Sequence, residues 1–208
     1  MTTPKAKLAG LALIAALCVG FTLGLTVPAW AGFDEAEAAY QRGDYATAIG
    51  EFFSPTKEGI ADAQYNRGVN YERGRGVPQD DAEAVKWYRK AAEQGHAKAQ
   101  YNLGVRYANG RGVPKDDAEA VGWWRKAAEQ DHASAQFNLG IMYHYGQGVP
   151  QDYVQAHMRY NLAASRFPPG VNRDKSVSNR DIIAKTMTPA QISEAQKLAR
   201  EWTEKHGK

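Results

Sequence analysis

The 208-residue chain is almost without cysteine, and Cys18 is the only one. A single thiol excludes an intramolecular disulfide framework and any zinc cage built on cysteines. Charge of one sign is scarce as well. There are 26 basic residues against 23 acidic ones, a net charge of +3, too small for the field with which a nucleic-acid groove gathers its ligand. The arrangements that carry catalysis are also missing, since no Ser-His-Asp or Cys-His set follows from the spacing. Gly74-Arg75-Gly76 and Gly110-Arg111-Gly112 are glycine-rich and basic. They lack a preceding strand and a following Gly-Lys-Ser/Thr, so they read as turns and not as phosphate loops. Asp80-Asp81 and Asp116-Asp117 fall where helices open and read as caps, not as acid–base pairs.

The first 31 residues differ in kind from the rest. Lys5 and Lys7 precede an uncharged apolar run from Leu8 to Val27, which ends in Pro28-Ala29-Trp30-Ala31. Small residues at 29 and 31 suit a signal peptidase, so residues 1–31 are expected to be a signal peptide cut before Gly32. The rival reading is a retained anchor, because about twenty apolar residues can cross a bilayer. Leu17 before Cys18 does not suit a lipid-attachment signal, which wants a small residue there. Cleavage predicts a periplasmic or secreted protein with no thiol and no stable membrane insertion. Taking Lys5 and Lys7 from the 26 basic residues leaves 24 against 23. The mild basicity of the chain is mainly an export feature.

Three segments, starting at Ala63, Ala99 and Ala135, align without gaps at a period of 36 residues. A degenerate copy precedes them in frame, with Asp44, Ala46, Ile49 and Phe52 standing 36 residues before Asp80, Ala82, Val85 and Tyr88. The organisation is therefore a leader at 1–31, a degenerate repeat at 32–62, and repeats at 63–98, 99–134 and 135–165. A loop and capping helices follow at 166–208.

Each repeat reads as two helices. Ala99, Leu103 and Tyr107 make one apolar stripe, which Ala135, Leu139 and Tyr143 reproduce. Gly68, Gly104 and Gly140 lie on the inward arc. A missing side chain there admits a close partner helix and offsets the roughly 1 kcal/mol helix penalty of glycine. Asp80 with Glu83, Asp116 with Glu119 and Asp152 with Gln155 predict capping boxes, in which the first residue caps and the second reaches back. Ala84, Val85, Tyr88, Ala91 and Ala92 form the second stripe, with Trp124 and Tyr160 in the place of Tyr88. Gly95, and Asp131 in the next copy, supply left-handed stops. Neither helix can bury its stripe alone, so the fold is expected to be all-α, a right-handed α/α solenoid of helix-turn-helix repeats.

After Ser165 the period is expected to fail. Phe167-Pro168-Pro169-Gly170 breaks the chain and Val171–Ser178 reads as a loop. One helix is predicted from Ser178 to about Met187. A second opens at Thr188-Pro189-Ala190-Gln191 with the stripe Ile192, Ala195, Ala199 and Trp202, and the two form a C-terminal cap.

The pattern Ala-x-x-x-Leu-Gly-x-x-Tyr-x-x-Gly-x-Gly-Val-Pro-x-Asp, closed by Trp-Tyr-Arg-Lys-Ala-Ala-Glu-Gln-Gly, resembles the Sel-one-like repeats of the tetratricopeptide-like superfamily. The resemblance covers Ala63–Ser165 closely and Phe33–Asp62 loosely, and Arg180–Gln191 is similar to the tail of bacterial members. It implies a scaffold or adaptor that binds a protein or peptide on a concave surface, with no cofactor and no catalysis. Some secreted relatives bind or hydrolyse β-lactams, but they carry paired cysteines in every repeat and this chain has none after Ala31. A membrane-tethered adaptor for envelope or polysaccharide assembly is the other alternative, and it requires that Leu8–Val27 be retained.

Candidate binding residues sit at the fourth, eighth and eleventh positions of each first helix. With about 100° per residue, these point away from the stripe. They are Asn66, Asn70 and Arg73; Asn102, Arg106 and Asn109; and Asn138, Met142 and Tyr145. Two readings of the recurring Asn66, Asn102 and Asn138 stand. They form an amide ladder for a partner's peptide backbone, or they hydrogen-bond between helices and hold the stack. Resemblance to tetratricopeptide relatives implies that these asparagines, with Arg106, clamp a peptide carboxylate. His96 and His132 recur at one position and read as turn packing. His144 and His157 occur only in the third copy, and two imidazoles without a third ligand do not make a metal site. Trp87, Trp123 and Trp124 lie at or beside the core stripe and read as packing, not as platforms for sugars or bases.

Overall fold

Asp80, Asp116 and Asp152 each cap a helix in the computed structural model of the protein, which describes residues 57–206. Eight helices and no strands occur among these residues. They are α1 (Lys57–Arg73), α2 (Asp81–Glu93), α3 (Ala97–Asn109), α4 (Asp117–Ala128), α5 (Ala133–Tyr145), α6 (Tyr153–Arg166), α7 (Val171–Ala184) and α8 (Pro189–His206). Helices α1/α2, α3/α4 and α5/α6 pack as hairpins, and each hairpin packs on the next. The leader at 1–31 and most of the degenerate repeat lie outside the described residues. None of the described helices is long and apolar enough to cross a membrane.

The caps are only half of the predicted boxes. Asp80 Oδ1 accepts from the amides of Ala82 and Glu83 at 2.9 and 3.0 Å, and Asp116 does the same for Ala118 and Glu119. The second acid does not reach back. The amides of Asp80, Asp116 and Asp152 instead donate to the carbonyls of Tyr71, Tyr107 and Tyr143 at 2.9–3.0 Å. That carbonyl belongs to the end of the preceding helix, where intrahelical donors have run out. One hydrogen bond thus closes both the hairpin and the cap. Among the described residues only Thr188 and Gln191 make the reciprocal arrangement, with Gln191 Oε1 accepting from the Thr188 amide at 2.8 Å.

Between the helices of a hairpin the chain turns through Gly-x-Gly-Val-Pro. Gly112 and Gly148 have φ of +75° and +66°. A Cβ on either would stand 2.2–2.3 Å from the carbonyl oxygen of Asp81 or Asp117 in the preceding repeat. Only glycine meets both conditions.

Between the repeats the core is a series of clusters centred on the second helix of one repeat and the first helix of the next. Ala84, Val85, Tyr88 and Ala91 of α2 meet Ala99 and Leu103 of α3. Ala120, Val121, Trp124 and Ala127 of α4 meet Ala135 and Leu139 of α5. The inward glycines behave as their spacing predicts. A Cβ on Gly68, Gly104 or Gly140 would come within 2.5–2.6 Å of the ring of Tyr88, Trp124 or Tyr160.

The C-terminal expectation needs correction. Val171–Ser178 is not a loop, because α7 runs unbroken from Val171 to Ala184. Its polar composition hides how little apolar contact the helix needs. Ser176 and Ile183 are its fully buried residues, and Ser176 Oγ donates to the Asn172 carbonyl at 2.8 Å. The repeat ends after Ser165 as expected, although two helix starts keep its spacing. Thr188 caps α8 36 residues after Asp152, and α7 begins within two residues of a fourth copy's first helix. The packing does change, since α7 and α8 both pack on α6. Ile183, Met187 and Ala195 cover Ala156 and Tyr160, while Ala199, Leu198 and Trp202 cover Met158 and Leu162.

Candidate functional site

The eleventh position of the first helices is the one that stays open. Arg73, Asn109 and Tyr145 are exposed at the last turns of α1, α3 and α5. Each of these helices passes into the glycine turn, and the bond from Asp80, Asp116 or Asp152 pins its end. Varied side chains are thereby held on one repeating, rigid frame. Tyr145 is 63% exposed and stacks on His144 at 4.4 Å between ring centroids. Asn66 is exposed and Asn70 half-buried.

At the fourth position the asparagines face the repeat before them. Asn102 lies against the hydroxyls of Tyr65 and Tyr88, and Asn138 against that of Tyr101. Burial pushes the Tyr65 and Tyr101 hydroxyls above the usual tyrosine range, and the asparagine amides offset part of that rise. Both asparagines are half-buried.

At the eighth position the predicted groove residues are corrected. Arg106 is 3% exposed and Met142 4%, so neither faces a partner. Arg106 pairs with Glu72 and, at 2.7 Å, with Asp81, and Arg111 joins Asp81 at 3.2 Å. Glu72 also accepts from the Tyr88 hydroxyl. Both carboxylates belong to the preceding repeat, so the guanidinium is spent on the stack and cannot clamp a peptide carboxylate. Thirty-six residues on, Ala108 replaces Glu72 and Met142 replaces Arg106, packed with Trp124 and Leu139. A single-helix projection placed these side chains outward, but the neighbouring repeat covers them.

Two recurring sets are structural in ways the spacing did not assign. Gln64, Gln100 and Gln136 repeat just before the third-position aromatic. Gln100 donates to the Ala92 carbonyl at 3.1 Å and Gln136 to that of Ala128 at 3.2 Å. Gln94, Gln130 and Arg159 donate to the three side-chain oxygens in turn. The recurrence of Gln at a buried-facing position was the available signal. His96 and His132 cap α3 and α5, with Nδ1 accepting from the Ala99 and Ala135 amides at 3.0 and 3.3 Å. Their rings stack on Tyr65 and Tyr101. Burial lowers the pKa of both.

His157 is buried at 4% exposure, and among the described residues no group of three or more His, Cys, Asp or Glu could hold a metal. Trp123 and Trp124 are buried, and Trp87 is half-buried beneath Arg67 and Lys90. A cleft of about 330 Å³ between α6 and α8, lined by Asn161, Leu162, Ala199 and Thr203, contains none of the predicted binding residues.

The Sel1 repeat family matches residues 61–96, 97–132 and 133–166. A protective antigen of uropathogenic Escherichia coli strains with an SLR fold superposes with a TM-score of 0.65 and 34% identity over 86% of this chain. This chain spans 38% of that protein's length. A Sel1 repeat protein from Oxalobacter formigenes gives a TM-score of 0.55 and 32% identity, over 80% of this chain and 74% of its own. Among curated proteins, none matches.

Proposed function

The chain belongs to the Sel1 repeat family, and from that premise we propose that it is an exported scaffold binding a protein or peptide on the inner face of its solenoid. Sel1 repeats typically mediate protein–protein interaction. The observation that carries the reading is the series Arg73, Asn109 and Tyr145, exposed at one recurring position in all three copies, while Arg106 and Met142 at the eighth position are buried. A cation, an amide and an aromatic ring on equivalent frames give selectivity, and a few such residues supply most of the binding energy. The half-buried Asn102 and Asn138 carry less of it, since each already faces a tyrosine of the preceding repeat. Export follows from Leu8–Val27 and Ala29-Trp30-Ala31. The activity is binding alone, with no cofactor.

The test is crosslinking with mass spectrometry in the native envelope, followed by titration of the purified partner. Wild type is compared with the triple variant Arg73→Ala/Asn109→Ala/Tyr145→Ala. All three residues are exposed, so the thermal midpoint is expected to stay put while affinity drops at least about tenfold, or roughly 1.4 kcal/mol. Unchanged affinity in a folded triple variant refutes the surface. Intact mass tests export: a start at Gly32 supports it, and a retained leader makes the protein a tethered adaptor. Turnover of a β-lactam above background overturns the non-catalytic reading.

A further inference from the structure

Burial disfavours the charged form of His96, His132 and His157, and the three are not equivalent. His157 occupies the place of Val85 and Val121, 36 residues apart in the earlier copies. It is 4% exposed, and its Nδ1 has no hydrogen-bond partner. Arg180 and Asp181 of α7 are the charged groups facing it, while α5 and α8, also packed on α6, bring none among the described residues. Asp181 is already held by Arg180 at 2.8 Å, and Arg180 also donates to Asn161. An imidazolium at 157 would therefore be a buried cation beside a guanidinium, with the nearby carboxylate spent.

The two capping histidines differ in their neighbours. Each uses an unprotonated Nδ1 as acceptor, a role that an imidazolium cannot fill because both its nitrogens are donors. At His96 the cost of protonation is offset in part, because Nε2 lies 2.9 Å from Asp62 Oδ1, while burial still outweighs that carboxylate. At His132 the residue equivalent to Asp62 is Lys98, whose charge opposes protonation. Asp131, next in the chain, is turned to Arg166 at 3.0 Å. Tyr101 of α3 stacks on the ring. Lys98 opposes protonation at both caps, and what sets the first junction apart is the Asp62 carboxylate beside it.

We propose that the C-terminal end of the solenoid is an acid-sensitive latch, in which protonation of His132 and His157 loosens α5 and undocks α7 while the junction at His96 holds to lower pH. Undocking α7 uncovers Ile183, Ala156 and Tyr160, the apolar end of the stack. The site that opens is thus the terminal face of the third repeat, on the same repeat as the exposed Tyr145.

Hydrogen exchange read by mass spectrometry on the full chain tests this at pH 7.5 and 5.5, with rates corrected for intrinsic pH dependence. Each buried neutral histidine raises the opening constant of its segment by up to about tenfold per pH unit below its unfolded value. Segments 133–145 and 171–184 are expected to lose roughly tenfold protection at pH 5.5, ahead of 97–109. His157→Val, which installs the residue of the other copies, is expected to keep 171–184 protected. Lys98→Asp, which copies the first junction, is expected to keep 133–145 protected. Equal protection at the two pH values overturns the latch, as does simultaneous opening of 97–109. Acid loss in His157→Val or Lys98→Asp as large as in wild type overturns the histidine assigned to that segment.

Discussion

Arg106 of α3 places Nη1 2.7 Å from Oδ1 of Asp81, across the boundary between the first and second repeats. The guanidinium is nearly fully buried, whereas Asp81 and Glu72 keep about a third of their side chains in water. One period later the same boundary is built without the charge, from Met142 and Ala108. The fold therefore displays two solutions to one packing problem.

Removing one side of the charged solution should be costly. Arg106→Ala leaves the partly exposed Glu72 facing a void and is expected to cost about 1–3 kcal/mol. Arg106→Met combined with Glu72→Ala copies the second boundary and should recover most of that loss. Urea midpoints of the two variants check it, and equal destabilisation would show that the boundaries are not interchangeable.

Glycine has opposite roles at two helical positions. Gly104→Ala drives a Cβ to 2.5 Å from the Trp124 indole, and overpacking of that kind typically costs about 1–3 kcal/mol. Gly122 lies exposed within α4 with nothing near its would-be Cβ. Gly122→Ala should therefore stabilise by about 1 kcal/mol through helix propensity. Thermal melts that move in opposite directions are the expected result.

The caps predict an asymmetry between two acids three residues apart. Asp116→Ala removes the acceptor for two amides and should cost about 1 kcal/mol. Glu119→Ala should change stability by less than about 0.5 kcal/mol, because the amide it was expected to serve already donates to Tyr107. Comparable losses in the two variants would restore the full capping box.

Stability should fall on the acid side. Burial lowers the pKa of His96, His132 and His157 from the ordinary 6.5. The unfolded chain therefore takes up protons first, and folding stability rises with pH in that range. The contribution is complete above about pH 6.5 and is lost as pH drops through the lowered folded values. His132→Asn keeps a capping acceptor without the titration, so the fall in urea midpoint between pH 7.5 and 5.5 should shrink. A fall as steep as in wild type would place the acid sensitivity elsewhere.

Much of this was decided within a few residues of chain. The 36-residue period, the aspartate caps and the left-handed turn at Asp131 with φ of +60° depend on neighbours three or four positions away, and the sequence displays them. The inward glycines were legible for the same reason, since one helix's periodicity sets which arc faces its partner. Exposure was not legible. Arg106 and Met142 project outward from their own helix, yet contacts 25 and more residues distant bury them. The polar helix α7 is held by its docking on α6 and hardly by its own composition. His96 and His132 were visible as a recurrence, but only the docked turn shows their nitrogen accepting an amide. By itself the sequence determined the repeat and the aspartate-capped starts of its second helices, because those are local. The tertiary structure decided which recurring positions remain open to a partner, because solvent access is a property of neighbouring repeats and not of any single helix.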